Sequence, residues 1–192
     1  YDGKNFEPFL TEAGRLNPDG NYNNVIRNFI QDKNDNIWIS SLSHGGITRF
    51  DGSDFINYNE RNGLCDDMVF ASYIDRKENM WIGGNEEGVL CKFDGPSFKH
   101  YSKSDGICDG FVTCFYEDKS GRLWMGSESK NSVCVFSEDK FNLFSVEGSE
   151  KMQAIRFIIE DAIGNIWMGG RYGGLWSYDG KVLVDFTQLK NE

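Results

Sequence analysis

Four of the five tryptophans recur at a constant interval of 43 residues along the chain. They are Trp38, Trp81, Trp124 and Trp167, and an aspartate precedes each of them by six residues: Asp32, Asp75, Asp118 and Asp161. A phenylalanine follows each of the first three tryptophans by twelve residues, and a tyrosine follows the fourth by eleven. Landmarks that recur in register at a fixed period in the forties predict a repeat architecture.

Each repeat contains four short runs rich in β-branched and aromatic residues, with turn signals between them. In the first repeat, "VIRNFIQDKNDNIWIS…GGITRFDGSDFINY", a Gly-rich loop follows the tryptophan run, and an aromatic-Asp-Gly corner separates the last two runs. Such runs are typical of β-strands and such a corner is typical of a hairpin. Four antiparallel strands per unit, repeated radially, describe a β-propeller.

We therefore predict an all-β fold, a β-propeller made of four-stranded antiparallel blades, in a single segment over residues 1–192. The repeats are predicted at about 25–66, 67–109, 110–152 and 153–190. The tryptophan is large enough to fill the wedge between adjacent blades. The aspartate at the end of the first strand is expected to accept hydrogen bonds from turn amides.

The order of these landmarks resembles the two-component-regulator propeller repeat, and "EDAIGNIWMGGRYGGLWSYDG" (160–180) is its best copy. The first two repeats depart from that pattern at Asp35, Ser40 and Glu78, and the third lacks the Gly pair and the Asp-Gly corner. These departures lie in turns, so we expect them to affect loop shape rather than the fold. The resemblance implies a seven-bladed ring in the periplasmic sensor portion of a hybrid histidine kinase of the Bacteroidetes, and sensing or binding rather than chemistry.

The first residues, "YDGKNFEPF" (1–9), match "YDGKVLVDF" (178–186), so residues 1–10 are predicted to form the last strand of a preceding blade. The chain starts at Tyr1, with no Met and no signal-peptide pattern, and we expect that it was cut from a longer precursor or processed. Three arrangements stay open: a fragment of a larger propeller, two chains in one eight-bladed ring, and a four-bladed closure. An open half-ring would expose two apolar blade faces, so the expected partners are the remaining blades or a second copy of the chain.

Composition and charge exclude several other classes of partner. The formal net charge of −10 argues against nucleic acid, whose phosphates require clustered Lys and Arg. No apolar run approaches the roughly 20 residues needed to span a bilayer.

The loops that join the second and third strands differ sharply, although the strands around them repeat. They are "SSLSHGG" (40–46), "GGNEEG" (83–88), "GSESKNS" (126–132) and "GGRYGG" (169–174). Packing requires the same residues in every blade, whereas a ligand site requires different ones, and in a propeller these loops surround the channel on one face. The candidate ligand-binding residues are therefore His44, Glu86, Glu128, Lys130, Arg171 and Tyr172. The alternative is that they are ordinary solvated loop tips.

The five cysteines are an odd number, which excludes a full disulfide framework. Cys65 and Cys108 occupy equivalent positions in the loops between blades, Cys91 and Cys134 are equivalent in third strands, and Cys114 lies in a first strand. No CxxC motif or histidine pair supports zinc. We interpret all five as small buried side chains, and we predict no metal and no cofactor.

Three functions compete. The first is a non-catalytic module that senses an oligosaccharide or small metabolite in a two-component system, placed in the periplasm by resemblance only. The second is an enzyme of lyase or glycosidase type: streptogramin-type lyases use a catalytic histidine over the channel, and sialidases need clustered arginines with a Tyr/Glu pair. His44 is the one histidine in a suitable loop, which is weak evidence for a general base. The third is a structural or protein-interaction scaffold.

Overall fold

The computed structural model describes residues 3–5, 25–42, 44–85, 88–130, 132–172 and 174–188. These residues form four four-stranded antiparallel sheets, each built from four consecutive strands in the order in which they occur in the chain. The first sheet holds β1 (Ile26–Gln31), β2 (Ile37–Ser41), β3 (Ile47–Phe50) and β4 (Phe55–Tyr58). The second holds β5 (Val69–Ile74), β6 (Met80–Gly84), β7 (Leu90–Phe93) and β8 (Phe98–Tyr101). The third holds β9 (Val112–Glu117), β10 (Leu123–Ser127), β11 (Val133–Ser137) and β12 (Lys140–Leu143). The fourth holds β13 (Ile155–Glu160), β14 (Ile166–Gly170), β15 (Leu175–Tyr178) and β16 (Leu183–Asp185).

The first strands β1, β5, β9 and β13 contact one another from sheet to sheet. They are therefore the inner strands, and the fourth strands are the outer ones, so the sheets are the blades of a propeller, as the sequence predicts. The predicted leading strand, residues 1–10, lies almost entirely outside the described residues. No helix among the described residues is long and apolar enough to cross a membrane.

The repeated tryptophans of the first three blades each lie between their own sheet and the sheet of the next blade. Trp38, Trp81 and Trp124 are at most 5% exposed, and each belongs to a core that includes residues of the next blade, such as Val69 beside Trp38. The next core places Val112 beside Trp81, and the last places Ile155 beside Trp124. Burial of these indoles between sheets therefore joins the blades.

The repeated aspartate closes the turn between the first and second strands and also binds the tryptophan. Asp118 accepts hydrogen bonds from the amides of Ser120 and Arg122 and, at 2.8 Å, from the indole Nε1–H of Trp124. The indole bond recurs at 2.9 Å in each of the other three blades, where the acceptors are Asp32, Asp75 and Asp161. The sequence predicted the turn bonds but not the bond to the indole.

Two turns that carry a side chain where the repeat pattern has glycine keep the backbone conformation of glycine. Asp35 and Glu78 have φ values of 63° and 64°, in the same left-handed region as Gly121 and Gly164 of the other two blades. These departures therefore cost some backbone strain but preserve the turn.

The prediction for the cysteines is wrong at one pair. Cys65, in the connection between the first two blades, forms a disulfide with Cys91 of β7. The sequence comparison paired equivalent positions of neighbouring repeats, whereas the bond joins a loop to a strand of the blade that follows it. Cys108, Cys114 and Cys134 are thiols in this structure, and Cys134 and Cys108 are buried.

Candidate functional site

A cavity of about 620 Å³ lies where the inner strands begin. The start of each first strand pairs with the end of the second strand of its blade, as in Ile155 opposite Gly170, so this is also the side from which the second-to-third loops leave. The described residues that line the cavity are three arginines, Arg27, Arg156 and Arg171, three phenylalanines, Phe70, Phe111 and Phe157, and Glu128 and Gly170.

Two arginines from distant blades stack on one phenyl ring. The guanidinium carbon of Arg27, on β1, lies 4.4 Å from the ring centroid of Phe70, and that of Arg156, on β13, lies 5.0 Å from the same centroid. Phe70 also packs against Phe111, with ring centroids 4.7 Å apart. The aromatic pair therefore forms a platform that positions the cations of the first and fourth blades.

Arg156 forms an ion pair with Glu128, and both side chains are mostly withdrawn from solvent. Arg27 and Arg171 are exposed. Three arginines and one glutamate leave an excess of two positive charges in this cavity, on a chain whose net charge is −10. The cavity is thus a local positive site on an acidic molecule, which favours an anionic ligand.

Backbone hydrogen bonds tie together the segments that carry these side chains. The amide of Glu128 donates to the carbonyl of Phe111 at 3.2 Å, which holds the loop of the third blade against the entry to its own first strand. The amide of Ala154 donates to Ser129 at 3.2 Å, and the amide of Arg171 donates to Ala154 at 3.0 Å. The glutamate and the arginine are therefore held by loops that are fixed to their neighbours.

Of the six predicted site residues, two meet in this cavity. Glu128 and Arg171 both line it. His44, Lys130 and Tyr172 are exposed and are not among its lining residues, although the guanidinium of Arg171 lies 5.1 Å from the ring centroid of Tyr172. Glu86 lies outside the described residues.

The loop comparison missed Arg27, Phe70, Phe111 and Arg156. Arg27, Phe70 and Arg156 occupy the same repeat position, the second residue of a first strand, where the third blade has Thr113. The next position of the same strands varies as much, with Asn28, Ala71, Cys114 and Phe157. Variation among the repeats therefore does not single out these residues within the inner strands.

The arrangement supports binding. Guanidinium groups pair with carboxylate, sulfate or phosphate in bidentate geometry, and the exposed face of Phe157 offers apolar contact. His100 is far from this chemistry: it lies on the outer strand β8, with Nε2 2.8 Å from the carbonyl oxygen of Gly63. Among the described residues, no group of three or more His, Cys, Asp or Glu side chains could hold a metal ion.

Comparisons with known proteins agree with this architecture. The family model described as "two component regulator propeller" matches residues 20–43 and 106–129. The comparison with curated protein sequences gives no significant match.

Solved structures similar to this chain include two bacterial surface or sensor proteins and a lyase. The extracellular domain of a putative hybrid two component system of B. thetaiotaomicron has a TM-score of 0.65 at 18% identity, over 88% of this chain and 26% of that one. PorZ, of the type-IX secretion system of Porphyromonas gingivalis, has a TM-score of 0.59 at 14% identity, over 79% of this chain and 25% of that one. Catalytically inactive virginiamycin B lyase of Staphylococcus aureus, with quinupristin, has a TM-score of 0.68 at 13% identity, over 85% of this chain and 57% of that one.

This chain spans between about a quarter and somewhat more than half of the length of these structures. At these identities the likeness concerns the fold alone, which sensors, secretion components and enzymes share. The strand order of the four sheets identifies the chain as a β-propeller segment, and two stretches of it, residues 20–43 and 106–129, match the two component regulator propeller model.

Proposed function

We propose that this segment is the non-catalytic, ligand-binding part of a two-component sensor, and that its ligand is an anionic oligosaccharide or small metabolite. The observation that carries the proposal is the cluster of Arg27, Arg156 and Arg171 around phenyl rings in one cavity. An anionic group would pair with the guanidinium groups, and the flat apolar part of a sugar or metabolite would lie on the rings. The similarity to the extracellular domain of a hybrid two component system supports a role in signalling.

An extracytoplasmic location is part of this proposal. Disulfides persist in oxidising compartments and are rare in the cytosol of mesophiles, so the bond between Cys65 and Cys91 supports it. The remaining propeller blades, or a second copy of the chain, are the proposed protein partners, and the output is proposed to be a histidine kinase.

The geometry favours binding over the enzymatic alternative. The likeness to virginiamycin B lyase and the arginine cluster are the two observations on the side of an enzyme. Neither His44 nor His100 lines the cavity, and no tyrosine is among its described lining residues. The general base of a lyase and the Tyr/Glu pair of a sialidase therefore have no counterpart among the residues described there.

Thermal-shift screening of matched ligand pairs tests this function. The library should contain uronate- or sulfate-bearing oligosaccharides beside their neutral analogues, and acidic metabolites beside their amides or esters. We expect stabilisation by at least one anionic member and none by its neutral partner. For that ligand, Arg27→Ala and Arg171→Ala should each raise Kd by about tenfold, because each removes one charged hydrogen-bonding group.

Lys130→Ala is the matched control, since it removes one positive charge from an exposed residue that does not line the cavity. It should leave Kd within about twofold, because a screened surface charge contributes little. Equal loss in all three variants would show attraction by net charge alone. If no compound in the library stabilises the protein, the scaffold function is favoured. Turnover of a bound compound would favour the enzyme.

A further inference from the structure

The connection between the second and third blades repeats the geometry of the connection that carries the disulfide. Residues 60–62 and 103–105 each form a single 3-10 turn, and each turn ends at a glycine in the left-handed conformation, Gly63 with φ 105° and Gly106 with φ 92°. A cysteine follows two residues after each glycine: Cys65 in the first connection and Cys108 in the second.

Cys91, the disulfide partner of Cys65, and Cys134 also occupy equivalent positions in their blades. Cys91 lies on β7 opposite Ile82 of β6, and Cys134 lies on β11 opposite Met125 of β10. Ile82 and Met125 each lie one residue after the repeated tryptophan. The register of the two sheets is thus the same at these points, and 26 residues separate the cysteines of each pair.

Cys108 and Cys134 are in contact in the structure. The amide of Cys108 donates to Sγ of Cys134 at 3.2 Å, and both residues are at most 3% exposed. Each thiol also alters the pKa of the other: the contact with Cys134 lowers the pKa of Cys108, and the contact with Cys108 raises that of Cys134. A disulfide requires Cα atoms about 4.4–6.8 Å apart, and the equivalent bonded pair has them 5.8 Å apart.

We propose that Cys108 and Cys134 form a second disulfide, the copy of Cys65–Cys91 one repeat later in the chain. The oxidant is a protein or small-molecule disulfide of the same compartment. One cysteine thiolate attacks it and releases one oxidant thiol, and the second cysteine then attacks the mixed disulfide and releases the other. Two cysteine thiols lose two electrons and two protons, and the oxidant disulfide gains them as two thiols.

The fifth cysteine is the residue that stays reduced. The Sγ of Cys114 lies 4.0 Å from the carbonyl oxygen of Ile155, on the first strand of the next blade, and burial raises the pKa of Cys114 to about 12. The other four cysteines form the two pairs, so the odd cysteine count fits two bonds and one thiol.

The bond would also fix one wall of the cavity. Ser129 Oγ donates to the carbonyl of Asp109 at 2.6 Å, so the connection that holds Cys108 contacts the loop that follows Glu128. Phe111 stands three residues after Cys108 on the same connection. Tying this connection to β11 would therefore hold the aromatic platform in place.

Peptide mapping of the full chain tests the proposal. The protein is refolded with oxidised and reduced glutathione, denatured at acidic pH and alkylated, and then digested with trypsin without reduction. We expect one alkylated thiol per chain, Cys114, and a cross-linked pair of peptides, 104–119 with 131–140, beside the pair 62–76 with 78–92 that reports Cys65–Cys91.

Peptide 104–119 contains two cysteines, so Cys114→Ser serves as the assignment control. This variant should keep both cross-links and show no alkylated thiol. Cys134→Ser should lose the second cross-link and show two alkylated thiols; if it fails to fold, the Cys114→Ser count still decides the question. Three alkylated thiols in the folded parent protein with Cys65–Cys91 intact, or a cross-link to Cys114 in place of Cys108, would overturn the proposal.

Discussion

At the scale of single residues, the repeated aspartate does more than close a turn. In each blade its carboxylate accepts the indole N–H of a tryptophan, which satisfies the one polar group of that side chain. For Asp118, burial opposes ionisation, but bonds from Ser120, Trp124 and Arg122 outweigh it and lower the pKa to about 2. Because the pKa is lowered on folding, this bond network stabilises the protein above the ordinary pKa near 3.8, and its contribution is lost as the pH falls toward 2.

Asp118→Ala should therefore destabilise the protein far more than Asp161→Ala. The first substitution leaves the indole N–H of a tryptophan that is 1% exposed without an acceptor, whereas Trp167, bound to Asp161, is half-buried and can bond water. We expect a loss of about 2–4 kcal/mol in the free energy of unfolding for Asp118→Ala, from the charged bonds and the buried donor. Urea titration followed by tryptophan fluorescence measures the free energy of unfolding of both variants. Equal losses would contradict the unequal contributions expected from the Asp118–Trp124 and Asp161–Trp167 hydrogen bonds.

At the scale of strands and loops, the repeat explains why the fold was predictable and the binding site only in part. The strands were evident because each must present the same residues to the same neighbouring sheet. Glu128 and Arg171 were found because they lie in loops free of that requirement. Arg27, Phe70 and Arg156 were missed because they lie inside strands, and only the packing of neighbouring first strands brings them to one cavity.

The disulfide was missed for a related reason. Comparing repeats identifies residues that are equivalent, and it matched Cys65 with Cys108 and Cys91 with Cys134. The bonded residues, Cys65 and Cys91, belong instead to a connection and to the third strand of the following blade. That contact follows from how the connection returns over the sheet, which the spacing alone does not encode.

Gly126, two residues after Trp124 on β10, lies where the second strand of the third blade approaches the first strand of the fourth blade. A Cβ on Gly126 would lie 2.7 Å from Cys114 Sγ and 2.8 Å from the carbonyl oxygen of Ile155, on the first strand of the next blade. Gly169 is the equivalent residue of the last blade, and a Cβ there meets nothing within 4 Å. We expect Gly126→Ala to cost about 1–3 kcal/mol by overpacking.

Gly169→Ala should change the free energy of unfolding by no more than about 0.5 kcal/mol in either direction. The pair is matched in residue type, strand and repeat position, so the difference isolates the contact with a following blade. Thermal or urea unfolding of the two variants gives the comparison, and a tolerated Gly126→Ala would mean that the blades can separate without loss.

At the scale of the whole molecule, the last blade exposes a face that the other three blades bury. Leu175, the counterpart of Ile47, Leu90 and Val133 in the third strands, is 45% exposed, whereas those three are at most 2% exposed. Trp167 is half-buried where its three counterparts are buried, and Ile159 of β13 is exposed on the same blade. Among the described residues, no sheet covers these side chains in the way that the following blade covers their counterparts in the other three blades.

We expect this face to bind a second copy when the 192-residue chain is isolated, since a sheet of the same kind covers the equivalent residues of every other blade. Sedimentation or light scattering should give a mass above that of one chain, increasing with concentration. Leu175→Glu together with Ile159→Glu should shift the mass to that of a monomer, because the introduced carboxylates would be buried at the contact. Ile163→Glu, at an exposed turn of the same blade, is the matched charge control and should leave association unchanged. A parent chain that is monomeric at high concentration would refute this assignment, since it would show that an uncovered blade face is stable in water.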